Sequence, residues 1–259
     1  MPENESTIIQ AGQEGDDNSE ISREEIARYF SERPYLDQKN LDALKQLPPR
    51  EAFALLISAR PDSFLAIDLL KEFPQSETIQ LLLELRQNPQ YARETKTIDW
   101  IFFQFAHNPA VSQEAINILK ELGDPRAVLE TDAGKIELAT ESALAEVVSL
   151  VPALAEHENW LAECFRQGAV FTLRAKDDEL ASVAVAHQLP GGSLYLDYIY
   201  TTDNKREKGR ATDLISYLLK NHVVLQCVLS RVGMFSEKAL TQLGFEHTGS
   251  GDRWVYLTG

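Results

Sequence analysis

Residues Tyr198 to Ala211 read YIYTTDNKREKGRA, and this stretch decides the fold of the second half of the chain. An apolar, aromatic strand pattern runs into a cationic turn and then directly into a helix pattern. The turn holds Lys205, Arg206, Lys208 and Arg210, four of 25 basic residues in a chain whose net charge is −15. Basic residues oppose the helix dipole at that end, and a bound anion removes the conflict. Gly209 sits where strand becomes helix and lets backbone approach a ligand closely. Exposed N–H groups at the start of the helix make such a turn a phosphate cradle.

The pattern around this stretch is mixed α and β. KIELAT (135–140) alternates as a short strand, and two helix patterns follow at 141–156 and 158–167. Three strand patterns come next, AVFTLRA (169–175), ELASVAVAHQ (179–188) and SLYLDYIYTT (193–202). Asp177-Asp178 and Pro190-Gly191-Gly192 mark the turns between them. Helix 210–221, strand 223–229, helix 236–243 and strands 245–249 and 253–258 complete the order, with Gly249-Ser250-Gly251 as the last turn.

The spacing Arg206-x-x-Gly209-x-Ala211 resembles the coenzyme A loop of the GCN5-related N-acetyltransferase (GNAT) superfamily. SEKALTQLGF (Ser236 to Phe245) is similar to the superfamily's late helix, and the element order from 134 to 259 is that of its fold. The resemblance implies an α+β domain with a mixed central sheet flanked by helices. It also implies acetyl-CoA as co-substrate and an amine as acceptor. The loop residues Arg206, Glu207, Lys208, Gly209, Arg210 and Ala211 would hold the pyrophosphate, with Lys205 and Arg210 reaching outer phosphates. Backbone of Ile199, Tyr200 and Thr201 would pair with the pantetheine arm where the strand splays from its neighbour. The positions at which family members carry a basic catalytic residue are Asp197 and Tyr195 here. Period-two alternation would put Tyr195, Asp197, Ile199 and Thr201 on one face. Asp197 would then act as base or counter-ion, or serve only as a satisfied polar group of the sheet.

The chain also departs from the family pattern. Leu240 stands where many members have a tyrosine that protonates the leaving thiolate, and Gly233 stands where an asparagine is frequent. Asp203 replaces a frequent proline, and Glu207 puts a negative charge inside the phosphate loop. Ser236 and Tyr200 are the available substitutes for the missing acid. These departures leave two function classes open, an N-acetyltransferase and a noncatalytic coenzyme A-binding or protein-interaction protein.

The first half reads differently. Residues 1–21 carry six acidic and no basic groups, a composition expected of a disordered acidic tail. From Ser22 to about residue 133 the pattern is helical, opened by a Ser22/Glu25 capping box and punctuated by proline. Helices are expected at 22–32, 37–46, 49–59, 62–73, 76–87, 91–106 and 110–122. AIDLLKEF (66–73) and AINILKEL (115–122) agree at five of eight positions, as stacked HEAT-like hairpins would and as any two amphipathic helices can. Trp100, Phe102, Phe103 and Phe105 are expected in the core. Three regions result: a tail to 21, an all-α domain 22–133 and a GNAT-like domain 134–259.

Composition narrows the function classes. Residues 1–133 hold 13 basic and 24 acidic groups, net −11, and residues 134–259 hold 12 and 16, net −4. Nonspecific nucleic-acid binding is disfavoured by phosphate repulsion, and a cationic acceptor or partner is favoured. The N-terminus has neither a basic n-region nor an apolar h-region, and no apolar run reaches the ~18 residues of a membrane span. With only Cys164 and Cys227, and no C-x-x-C, a reducing cytoplasm is expected. His107, His157, His187, His222 and His247 never pair at ligand spacing, so no metal is expected. Cys227 reads as a core thiol.

Overall fold

In the computed structural model, residues 26–29, 38–59, 63–189, 194–202, 209–221, 224–228, 237–249 and 251–257 are described. Contacts divide the chain into two units, Met1–Pro61 and Asp62–Gly259. The expected tail, the Ser22/Glu25 capping box and the Pro190-Gly191-Gly192 turn lie outside the described residues.

In the first unit, residues 26–29 are helical, followed by α1 (Gln38–Leu44) and α2 (Pro49–Ala59). Pro49 opens α2, where its fixed φ and missing N–H cost nothing. Ile26, Leu44, Ala52 and Leu56 are buried.

The second unit begins with helices. These are α3 (Ser63–Asp68), α4 (Ser76–Gln87), α5 (Thr95–Ala106) and α6 (Ser112–Glu121). Single 3₁₀ turns at Leu69–Glu72 and Pro89–Glu94 replace α-helix expected there. In the second turn the Asn88 side chain accepts the Gln90 N–H at 3.0 Å, a cap that tightens the entry into α5. Helix α5 buries Ile98, Ile101, Phe102, Phe103 and Phe105, so it is the central rod of this layer. Trp100 departs from the expected core placement. It is 44% exposed, with the Arg126 guanidinium 5.6 Å from its ring. The HEAT-like reading is not supported by equivalence of the two repeats. Residues 66–73 cross from α3 into a 3₁₀ turn, whereas 115–122 run through α6 to its C-cap.

Strands β1 (Val128–Thr131) and β2 (Gly134–Leu138) start the sheet. Then come α7 (Leu144–Leu150), a 3₁₀ turn at Pro152–His157 and α8 (Glu158–Arg166). Pro152 breaks the single helix expected over 141–156, because it cannot supply the N–H that the helix needs. Strands β3 (Val170–Arg174), β4 (Leu180–Gln188) and β5 (Leu194–Thr201) follow, then α9 (Arg210–Asn221) and β6 (Val224–Val228). Helix α10 (Glu237–Gln242) and strands β7 (Glu246–His247) and β8 (Arg253–Leu257) close the described chain. Among the described residues eight strands run β1-β2-β3-β4-β5-β6-β8-β7, and of these β5 and β6 pair in parallel, joined through α9.

Helices cover both faces of this sheet. Val170, Val183 and Val185 join Val147, Val151, Leu154, Leu161 and Phe165 in one core, with Tyr198 and Tyr200 packed against it. Neighbouring residues point the other way toward α9, where the Phe171 and Tyr217 rings lie 6.1 Å apart. Leu214, Ile215 and Leu218 are fully buried on that helix.

The expected division at 133/134 does not coincide with the one in the structure. Strand β1 lies before it and pairs with β2 beyond it. Ser112 Oγ donates to the Arg166 carbonyl at 2.5 Å, and the Gln113 amide donates to the Phe165 carbonyl at 3.1 Å. The helices over 63–121 and the sheet therefore belong to one unit, although sequence texture changes near residue 133.

Candidate functional site at the fork between β5 and β6

Strand β5 is the element that shapes the site. Val185 faces Tyr198 across the β4–β5 ladder, but the next residue of β4, Ala186, faces Leu196. Asp197 is thus the extra residue of a β-bulge, which bends the strand and re-aims its side chains. The bulge corrects the expected four-residue face. Below it His187 faces Tyr195, and above it Ser182 faces Thr201. Tyr195 and Asp197 fall on the α7–α8 face of the sheet, while Ile199 and Thr201 fall on the α9 face. A 2.7 Å hydrogen bond between the buried Ser182 and Thr201 hydroxyls fixes the register beside the bulge.

At the same height the described β5–β6 ladder ends. Their ladder runs from Leu194–Leu225 to Leu196–Cys227 and stops, although β6 continues at Val228 against Arg253 of β8. Past the bulge, the pairing of β5 among the described residues is with β4. The Thr202 N–H donates to the Ala181 carbonyl at 3.1 Å. Alternation of N–H direction along a strand then aims Ile199 and Thr201 N–H groups into the fork, and that of Tyr200 at β4. An extended ligand lying along this side of β5 would meet those N–H groups.

The start of α9 lies beyond the fork. Gly209 has φ of +70°, the left-handed region that glycine enters without penalty. A Cβ built there would meet nothing within 4 Å, so the space before it is open. Arg210, the first residue of α9, is only 9% exposed. Its Nε and Nη1 are buried without a hydrogen-bond partner among the described residues. A buried guanidinium in that state is costly unless an anion completes it. Ala211 is half-buried in the first turn. Lys205, Arg206, Glu207 and Lys208 lie outside the described residues, as do Asp203, Gly233 and Ser236.

On the α7–α8 face, His187 Nδ1 lies 2.7 Å from Asp197 Oδ2. The Tyr195 ring is tilted against the imidazole with centroids 5.7 Å apart. The hydrogen bond to Asp197 raises the His187 pKa above its ordinary value, and burial opposes this. Cys164 of α8 borders the same corner. Burial, and then the charges of Asp197 and Glu163, push its thiol up to about 12, which keeps it protonated and unreactive. Leu240 of α10 is fully buried and presents no proton donor. No group of His, Cys, Asp and Glu able to hold a metal ion occurs among the described residues.

Sequence reasoning did not single out His187. The signal that could have found it is register. His187 and Tyr195 stand equally far from Gly191 in the expected hairpin, which makes them cross-strand neighbours.

Solved structures similar to this chain include acetyltransferases. A GNAT-family acetyltransferase from Bacillus cereus is 18% identical with a TM-score of 0.40, covering 48% of this chain and 94% of its own. A GNAT-family acetyltransferase from Staphylococcus aureus is 7% identical with a TM-score of 0.38, covering 47% and 97%. The ribosomal-protein-S18-alanine N-acetyltransferase from Escherichia coli is 15% identical with a TM-score of 0.36, covering 46% and 89%. No family model matches the sequence. No curated protein matches it.

Proposed function

We propose that the chain is an acetyl-CoA-dependent N-acetyltransferase that passes an acetyl group to an amine, on a small molecule or a protein, by direct attack on the thioester. The observation that carries this reading is the fork itself. The β5 N–H groups of Ile199 and Thr201 point away from β4 beside the Asp197 bulge, and the strand leads toward Gly209 and the buried Arg210, whose Nε and Nη1 have no hydrogen-bond partner among the described residues. An extended arm ending in phosphates fits that succession. Arg210 and the first turn of α9 would hold the phosphates. Ile199 and Thr201 would pair with the arm and offer an N–H to the oxygen that gains charge in the transition state. The acceptor amine would enter from the opposite face, where Tyr195 and Asp197 lie.

No described helix is long and apolar enough to cross a membrane. We place the reaction in the cytoplasm, with the helical region as a docking element for a protein partner.

Gly209→Asp tests the reading. It fills the open space before the helix with a negative charge at a position where Asp tolerates positive φ. Calorimetry should show acetyl-CoA binding weakened more than tenfold with the melting transition kept. Equal affinity in a folded variant places the ligand elsewhere and removes the proposal.

One observation favours a second reading. Leu240 is fully buried at the position where the family's tyrosine protonates the thiolate. A noncatalytic protein that binds coenzyme A would keep the fork and Arg210 and release no thiol with any amine.

A further inference from the structure

We infer that His187, rather than Asp197, takes the proton from the acceptor amine, with Asp197 as the positioning residue that holds its ring. The inference rests on the acetyltransferase reading above and names the base of that site.

Accessibility separates the two residues. The Asp197 side chain is 13% exposed and the His187 side chain 35%. An amine can therefore reach the imidazole more readily than the carboxylate beneath it. Asp197 Oδ2 receives the Nδ1–H at 2.7 Å, which fixes the tautomer and leaves Nε2 as the bare nitrogen. Nε2 has no partner among the described residues. The Tyr195 ring, 5.7 Å away, limits how the imidazole can turn.

Basicity points the same way. Unperturbed imidazole and carboxylate differ by roughly 2.6 pKa units, so at neutral pH a carboxylate is the much weaker acceptor for an ammonium proton. Tyr195 and Asp197 of β5 face this corner, and Cys164 of α8 borders it with Glu163 nearby. The protonated Cys164 thiol adds no charge there. Asp197 is the carboxylate hydrogen-bonded to the ring, so its loss should lower the His187 pKa.

Position completes the argument. His187, Tyr195 and Gln226 form one row of the sheet, and Ala186, Leu196 and Cys227 form the last row before the fork. The imidazole lies on the α7–α8 face, opposite the helix that begins with Arg210. Cofactor and acceptor then meet at the fork from opposite faces.

The step balances without further reagents. His187 Nε2 accepts one proton from the substrate ammonium. The neutral amine forms a C–N bond to the thioester carbonyl carbon, and the C–S bond breaks with its electron pair leaving on sulfur. The nitrogen of the addition intermediate gives its second proton to the thiolate. The imidazolium returns its proton to solvent. No side-chain acid is needed, which agrees with the buried Leu240.

The test uses the full chain in two arms. In the first, NMR follows the His187 ring, assigned by its loss in His187→Gln. The titration midpoint should fall in Asp197→Asn, and an unmoved midpoint overturns the coupling. In the second, amide formation from acetyl-CoA is measured with spermidine, kanamycin and a lysine-containing peptide over pH 6–9. His187→Gln should lower kcat/KM by ~10²–10⁴ and flatten the acid limb, with acetyl-CoA affinity within about threefold. Asp197→Asn should shift that limb to lower pH, and added imidazole should restore turnover to His187→Ala. Wild-type turnover in His187→Gln overturns the role of His187 and leaves acetyl transfer standing. Absence of amide formation by the parent with all three amines overturns the acetyltransferase reading and this role with it.

Discussion

The Tyr217 hydroxyl of α9 donates to the carbonyl of Arg126 at 2.6 Å, across 91 residues of sequence. Arg126 is itself braced, with Nη2 2.6 Å from Asp124 Oδ2 and its guanidinium 4.7 Å from the Phe103 ring. The helix that opens with Arg210 is thereby tied to the helical layer. Burial raises the Tyr217 pKa, so the hydroxyl stays a donor through neutral pH. Tyr217→Phe should cost about 1–2 kcal/mol, because it leaves the Arg126 carbonyl short of a donor. A chain starting at residue 134 loses this bond and β1 together. Denaturant titration should find it far less stable than a chain starting at residue 62. Equal stability would restore the boundary expected from sequence texture.

Gly168 is a second point at which the layers meet. It follows α8 with φ of +59°, and a Cβ there would lie 1.8 Å from the Ala106 carbonyl oxygen at the end of α5. Gly168→Ala forces both a left-handed alanine and a backbone collision. A loss of about 2–4 kcal/mol is expected by chemical denaturation. A change under about 0.5 kcal/mol would mean that the two backbones do not touch.

His107 sets part of the acid sensitivity. It is buried against the Phe103 ring, 4.9 Å between centroids. Burial pushes its pKa down to about 4, while the nearby Gln167 and Gly168 backbone acts weakly in the other direction. Its nitrogens make no well-aligned hydrogen bond among the described residues. The unfolded chain, with an ordinary imidazole, therefore binds more protons than the folded one between about pH 6.5 and pH 4. The stability that His107 gives in its neutral form is present above pH 6.5 and is lost as pH falls through that window. The slope approaches about 1.4 kcal/mol per pH unit. Replacing His107 by Leu should flatten this limb of the pH–stability curve. An unchanged slope would assign the acid sensitivity to other groups.

Arg210 should show opposite effects on stability and binding. Its Nε and Nη1 are buried without a hydrogen-bond partner among the described residues, with the Asp213 carboxylate as a coulombic neighbour, so Arg210→Met should leave the melting temperature of the ligand-free protein equal or higher. The same change should weaken acetyl-CoA binding more than tenfold and remove most of the thermal shift that the ligand gives. A variant that melts lower and binds equally well would make Arg210 a structural residue.

Much of this architecture is written in local pattern. Val183 and Val185 alternate with small residues and Ile98 to Phe105 follow helical spacing, so β4 and α5 are legible from the sequence. Pro49 and Gly209 mark helix starts for conformational reasons that any reading can apply. Strand β1 is not legible in this way. Its four residues VLET include no fully buried position and show no alternation, and the strand exists because β2 offers an edge to it. The bulge at Asp197 was equally hidden. Nothing in LYLDYIYT says which residue is extra, since the bulge is fixed by pairing with β4, so simple alternation placed Tyr195 and Asp197 on the wrong side relative to Ile199 and Thr201. The His187–Asp197 pair follows from that register and from no sequence motif. The exposure of Trp100 is likewise not written locally, since Arg126, 26 residues later, is the cation beside its ring.

The central claim is acetyl transfer at the fork between β5 and β6. Its most direct measurement uses acetyl-CoA labelled in the acetyl carbonyl, incubated with the full chain and a panel of primary amines, with free thiol and labelled amide counted together. The account predicts that the two products appear in equal amounts, with both lost in Gly209→Asp. Thiol release without labelled amide, or no thiol release from a protein that binds acetyl-CoA tightly, would contradict it.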